Sequence, residues 1–132
     1  MFNGVRAVLN NPNDPNSPDF NIGFDQYAEL AAETATYPTN FPIQAILYTA
    51  IGLSAETGEV ANEVKKFMRD DDYLMTDDRR AKLKAELGDV LWYWFELCRM
   101  LKLDPVSVAT DNLIKLKNRK ANGTIKGAGN DR

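Results

Sequence analysis

Histidine is absent from this chain, and that absence removes the Ser/His/Asp and Cys/His nucleophiles, histidine-ligated zinc and the carboxylate-bridged di-iron bundles that need Glu-x-x-His. Cysteine is nearly absent. The single Cys98 lies in an apolar helical run, which rules out an intrachain disulfide framework; it reads as a small buried hydrophobe in a protein of a reducing, cytoplasmic compartment. No stretch is long and apolar enough to span a bilayer, and residues 1 to 19 lack the apolar core of a signal peptide. The expectation is a soluble protein with no membrane partner. Strand signals are also missing at any strength comparable to the helical ones.

What is present fits one domain with a modest core: 132 residues, 44% hydrophobic and 27% charged. A net charge of -3 and a pI near 5.0 weigh against nucleic acid as a partner, while leaving room for an anionic ligand that arrives with its metal. Without histidine, the chemistry left is that of oxygen ligands. Carboxylates suit hard cations such as magnesium, with manganese able to substitute.

The chain divides into an N-terminal arm (1–23), a helical domain (24–120) and a glycine-rich tail (121–132). Residues 10 to 19 hold three prolines and no large apolar side chain, so they read as an exposed loop. A short amphipathic helix starts at Phe24 and ends by Tyr37, because Pro38 disfavours helix at the residue before it. The longest helix covers residues 42–70, with Pro42 in the first turn and Asp70-Asp71-Asp72 marking its exit. A third begins with Thr76 as N-cap and runs to about Lys102, and a fourth starts at Pro105 after Asp104 and continues to about Lys120. The tail has Gly123, Gly127 and Gly129, in neither the Walker nor the dinucleotide-binding spacing.

The chemistry is concentrated in four carboxylates. Glu56-x-x-Glu59 is followed after 26 residues by Glu86-x-x-Asp89. Residues three apart share one helix face, so each pair is a two-toothed acidic clamp. If the two helices run antiparallel, the clamps converge on one cavity whose negative charge is unfavourable without cations. Glu56, Glu59 and Glu63 occupy a stripe roughly 60° wide, with Lys66 along its edge. Glu86, Asp89 and Tyr93 repeat the spacing on the third helix.

A lone acidic residue on a helix is ordinarily a solvated face. Here apolar Leu83, Leu87, Val90, Leu91 and Trp92 crowd the second clamp. Gly52, Gly58 and Gly88 lie inside helices, where each costs about 1 kcal/mol relative to alanine, and that cost implies close approach of another backbone or a ligand. The fourth helix offers the opposite charge, with Asn112, Lys115 and Arg119 in one polar stripe, as a polyphosphate beside metals requires.

These residues resemble the MazG-like all-α nucleoside triphosphate pyrophosphohydrolases, related to all-α dCTPases and dimeric dUTPases. The resemblance is carried by Glu56, Glu59, Glu86 and Asp89 in the family pattern, by Gly52-Leu-Ser-Ala-Glu56-Thr-Gly-Glu59-Val with Val64-Lys65-Lys66, and by Glu86-Leu-Gly-Asp89-Val-Leu-Trp-Tyr93. Asn112-Leu-Ile-Lys115-Leu, Arg119 and the Gly123-Thr-Ile-Lys126-Gly-Ala-Gly129 tail are also similar to small members. The resemblance covers about residues 24–132 and implies an all-α, four-helix MazG-like bundle completed by oligomerisation as a homodimer or homotetramer. It further implies magnesium-dependent hydrolysis of a nucleoside triphosphate to the monophosphate and pyrophosphate.

On that reading Glu56, Glu59, Glu86 and Asp89 hold two or more metals, and Glu59, or alternatively Glu63, is the base that activates water. Asn112, Lys115 and Arg119 orient the phosphates, with Lys66 and Lys126 as weaker contributors. Tyr93 contacts the nucleotide, by similarity to the family's placement of a tyrosine, and a purine deoxynucleotide is the mild preference. Trp92, Trp94 and Phe95 surround the third helix, too much aromatic surface for one subunit to cover, which also favours an oligomer. The rival reading is a catalytically silent helical oligomer that binds metal or nucleotide as a regulator or scaffold. A third is a phosphohydrolase releasing orthophosphate. The products formed with magnesium and each nucleotide separate all three.

Overall fold

The computed structural model describes residues 21–38 and 40–124. They form four helices, α1 (Phe24–Glu33), α2 (Pro42–Asp70), α3 (Asp77–Met100) and α4 (Pro105–Ala121), with no strand among the described residues. The all-α expectation holds, with helix ends close to those read from the sequence. Pro42 and Pro105 occupy first-turn positions, where the missing N–H is no loss. Thr76 Oγ1 accepts from the Arg79 backbone N–H at 3.1 Å, and the carboxylate of Asp104 accepts from Val106 and Ser107, both at 3.1 Å. Asp77 and Asp78 add favourable charge to the first turn of α3.

The α3 exit is a Schellman turn built on lysine. Lys102 takes a φ of 57°, its N–H bonding Arg99 O at 3.1 Å while Leu103 N–H bonds Cys98 O at 2.9 Å. The turn from α2 to α3 likewise holds two non-glycine residues at positive φ, Asp72 (48°) and Tyr73 (62°). Tyr73 is held there by an edge-on contact with Phe67, ring centroids 5.8 Å apart.

This turn folds α2 and α3 into an antiparallel hairpin, the main packing of the chain. Its seam is unusual in composition. Glu63 on α2 meets Arg79 on α3. Seven residues before Glu63 and seven after Arg79, Glu56 meets Glu86. Seven residues is two helical turns, the repeat that keeps one face of a helix on its partner. Positions that an ordinary helical pair fills with leucine are here Thr49, Glu56 and Glu63 facing Arg79, Glu86 and Tyr93.

Close approach is possible because Gly52 and Thr49 line the seam. Thr49 is fully buried and bonds back to Ala45 O at 2.9 Å. A Cβ on Gly52 would come within 2.1 Å of the Tyr93 ring. The expectation of a tight contact therefore holds at Gly52. At Gly58 and Gly88 an added Cβ meets nothing of this chain within 4 Å, so no such contact forms there within the subunit.

The α1 helix lies against α3, and α4 rests chiefly on α1. Phe24 packs edge-on to Phe95 and Trp94, with centroids 5.2 and 6.2 Å apart, and Tyr27 meets Phe95 at 4.7 Å. Trp92 Nε1 donates to Thr34 Oγ1 at 2.8 Å. Contact with α1 buries Phe95, while Trp92 and Trp94 remain half-buried within one subunit. The bare apolar surface lies elsewhere: Ile43, Leu47 and Ile51, one stripe of α2, are 61%, 53% and 68% exposed.

Beneath the aromatics sits Glu96, 1% exposed. Tyr37 O–H donates to Glu96 Oε2, Arg99 Nε donates to Glu96 Oε1 at 3.1 Å, and Arg99 Nη2 donates to the Tyr37 hydroxyl oxygen at 3.0 Å. Burial and then the adjoining Glu96 carboxylate push the Tyr37 hydroxyl up to about 12. Every partner in this small polar cluster is satisfied, as a buried charge requires. Cys98 is buried beside it, a free thiol whose pKa is raised by burial.

Replacing Gly52 with alanine should drive the Tyr93 ring out of its place and lower stability by about 1–3 kcal/mol. Gly58→Ala should raise it by about 1 kcal/mol through helix propensity alone. Thermal melts of the two variants against the parent check both signs.

Candidate functional site

The hairpin delivers Glu56 from α2 and Glu86 and Asp89 from α3 to one place, with one carboxylate oxygen of each lying within 4.8 Å of the others. Glu56 and Glu86 are half-buried and Asp89 is exposed, so the cluster opens to solvent on the α3 side. Among the described residues the salt bridges lie elsewhere, on Glu63, Asp70, Asp71, Asp78 and Glu96. The three negative charges therefore face one another. Burial first, then Asp89, Glu86 and Glu59, hold the Glu56 carboxyl above its ordinary pKa.

Two aromatic hydroxyls feel the same field. Tyr27 on α1 is raised by burial and then by Asp89. Tyr93 is raised by burial, by its hydrogen bond with Tyr48, and then by Glu56 and Asp89. Tyr48 in turn stacks on Tyr37 at 5.2 Å, and Trp92 stands edge-on to Tyr93 at 4.8 Å. A wall of rings from the α1–α2 connection, α2 and α3 thus borders the acidic cluster.

The donor set fits a hard divalent cation. All ligands are carboxylate oxygens, and oxygens on opposite sides of a cation at 2.0–2.6 Å stand roughly 4–5 Å apart, the dimension of this cluster. Of the residues expected as metal ligands, Glu59 is the one outside the three-oxygen group. It is exposed, accepts from Asn62 Nδ2 at 3.4 Å, and still bears on Glu56 through its charge.

Glu63 is placed differently from the other acids. It is 4% exposed and accepts from both Arg79 Nη1 and Lys66 Nζ, and these partners hold its carboxyl below the ordinary range. Lys66 is committed to that pair. On α4, Asn112 and Lys115 border an open groove of about 750 Å³ with Phe24, Leu91 and Trp94. Lys115 and Arg119 border a second of about 360 Å³. No described hydrogen bond or ion pair joins Asn112 or Lys115 to the carboxylates. Lys126 lies outside the described residues.

Sequence reasoning overlooked Arg79 and Tyr48. Arg79 was detectable, since Arg79, Glu86 and Tyr93 share a seven-residue spacing on one helix face. Tyr48 carries no such signal, because its importance comes from Tyr37 and Tyr93, which arrive from other elements.

The MazG nucleotide pyrophosphohydrolase domain model matches residues 44–124, spanning both acidic clamps and α4, and the chain belongs to that family. It is also 42% identical over 111 residues to the Gene 37 protein of Mycobacterium phage L5, a match covering 82% of this chain and 97% of that protein. No solved structure matches. The fold is thus that of a family of nucleotide pyrophosphohydrolases.

Because the folded pKa of Glu56 is raised, the folded state binds its proton more tightly than the unfolded chain, and stability drops as pH rises through the ordinary carboxylate range. In metal-free buffer at neutral pH, Glu56→Gln should therefore melt above the parent, with the gap closing as pH falls below that range. Added Mn²⁺ should raise the melting temperature of the parent and leave that of Glu56→Gln nearly unchanged. Melting curves in chelator and in Mn²⁺ across pH read both effects.

Proposed function

We propose that this chain is a magnesium-dependent pyrophosphohydrolase that cleaves a nucleoside triphosphate between the α and β phosphates, releasing the monophosphate and pyrophosphate. The observation that carries the reading is the convergence of Glu56, Glu86 and Asp89 from two helices, in a member of this family. Manganese would substitute for magnesium, and Glu59 on the rim would help to hold a second ion. Cations held by these carboxylates would supply neutralisation of phosphate charge and a water of lowered pKa.

The chain's own residues do the rest. Glu59, rather than the ion-paired Glu63, is the base: it is exposed, unsequestered by a cation, and adjacent to the cluster. It takes a proton from the water that attacks the α phosphorus as the bond to the bridging oxygen breaks and pyrophosphate leaves. Lys115 and Arg119, with Asn112, receive the phosphate tail, and Lys126 is a weaker contributor of charge. Tyr93, backed by Gly52 and tethered to Tyr48, is the surface against which the nucleoside lies.

The bare stripe of Ile43, Leu47 and Ile51 supports assembly as a homodimer or homotetramer, since a single chain leaves it in water. No described helix is long and apolar enough to cross a membrane, and a free buried Cys98 accords with a cytoplasmic setting.

Incubation with Mg²⁺ and each NTP and dNTP, starting with the purine deoxynucleotides, should yield monophosphate and pyrophosphate by product mass. Orthophosphate as the first product would overturn the proposal, and inertness towards the whole panel would favour a binding role instead. Glu59→Gln should lose about 10²-fold or more in turnover while still binding Mn²⁺. Full turnover in that variant would move the base elsewhere.

A further inference from the structure

Resting on the metal reading above, we propose that Arg79 is a positioning residue, which sets the register of α2 against α3 and so brings Glu56 opposite Glu86 and Asp89. Arg79 is 6% exposed and reaches two segments at once: Nη1 donates to Glu63 on α2, and Nε donates to Asp71 in the connecting turn at 2.6 Å. Lys66 completes the Glu63 carboxylate from its other side. Among the described residues, the Arg79–Glu63 pair is the salt bridge that joins α2 to α3.

A hairpin seam normally takes its register from large apolar side chains fitting into holes on the facing helix. Here polar residues interrupt that packing, since Thr49, Gly52, Glu56 and Glu63 alternate on the α2 side with half-buried Leu53, Val60 and Phe67. Glu56 sits where the charges of Glu86 and Asp89 push the helices apart. A buried polar pair is then the feature that distinguishes one alignment from its neighbours, the best attested use of such pairs.

The spacing links it to the site. Glu56 lies seven residues before Glu63 and Glu86 seven after Arg79, so both layers lie on the same two faces, about 10.5 Å apart along the hairpin. A slip of one turn moves the facing carboxylates by about 5.4 Å, which is larger than the 4.8 Å that encloses all three oxygens. Arg79 acts entirely through this alignment and touches no substrate.

The test compares the full chain with Glu63→Met/Arg79→Met and with Arg79→Lys. Spin labels on cysteines placed at the exposed Lys65 and Lys84, in a Cys98→Ala background, report the separation of the helices. Free Mn²⁺ counted by electron paramagnetic resonance reports metal affinity. A buried ion pair replaced by apolar residues of similar volume often leaves stability unchanged, so a merely structural role predicts a double variant with normal Mn²⁺ affinity.

Positioning predicts helical content and melting close to the parent, a shifted or broadened label distance, and at least tenfold weaker Mn²⁺ binding, partly recovered in Arg79→Lys. Unchanged distance and unchanged Mn²⁺ affinity in the double variant overturn the proposal. A parent chain that binds no Mn²⁺ overturns the metal reading itself. Should the double variant not fold, Glu63→Gln carries the same two readouts and the same outcomes.

Discussion

Glu56, Glu86 and Asp89 repel one another across the α2–α3 seam, where polar layers interrupt the apolar packing, and much of the surrounding structure holds those like charges together. Burial in the half-covered seam makes the repulsion stronger, as the raised pKa of Glu56 records. Natural proteins keep such an arrangement where a cation completes it. The cost in the metal-free state is distributed over the surrounding structure, and each part of that structure has an identifiable job.

At one end of the seam Arg79 joins Glu63 and Asp71, fastening the turn and both helices. At the other, Tyr37 and Arg99 enclose the buried carboxylate of Glu96, and the same Tyr37 stacks on Tyr48, whose ring centroid lies 6.3 Å from that of Tyr93. The acidic cluster lies between a charged layer and a layer of rings. On the proposed reading the charged layer sets alignment, and the ring layer is a flat surface beside the acidic cluster. α1 packs on the outer aromatics of α3 and buries Phe95, leaving Trp92 and Trp94 half-buried.

Much of this was legible from residue spacing. Proline and cap positions located the helix starts because those signals act within one turn of the chain, and Glu-x-x-Glu with Glu-x-x-Asp located the cluster because face-sharing follows from helix geometry alone. What spacing could not supply was partnership across elements. Glu63 continues the stripe of Glu56 and Glu59, and nothing in that stripe distinguishes a base from an ion-paired residue; the difference is Arg79, sixteen positions away. Gly52, Gly58 and Gly88 carry the same local cost, yet only Gly52 faces a ring. Trp92 and Trp94 share the α3 aromatic girdle, but the partners they meet, Thr34 at the end of α1 and Phe24 of α1, are set by another element.

The most direct test of the account is a crystal of the chain grown with Mn²⁺ and a non-hydrolysable nucleoside triphosphate analogue, with anomalous scattering used to find the metal. The account predicts an anomalous peak within coordination distance of Glu56, Glu86 and Asp89, with the analogue's phosphates beside it. Manganese bound elsewhere, or an analogue seated away from these three carboxylates, would contradict it.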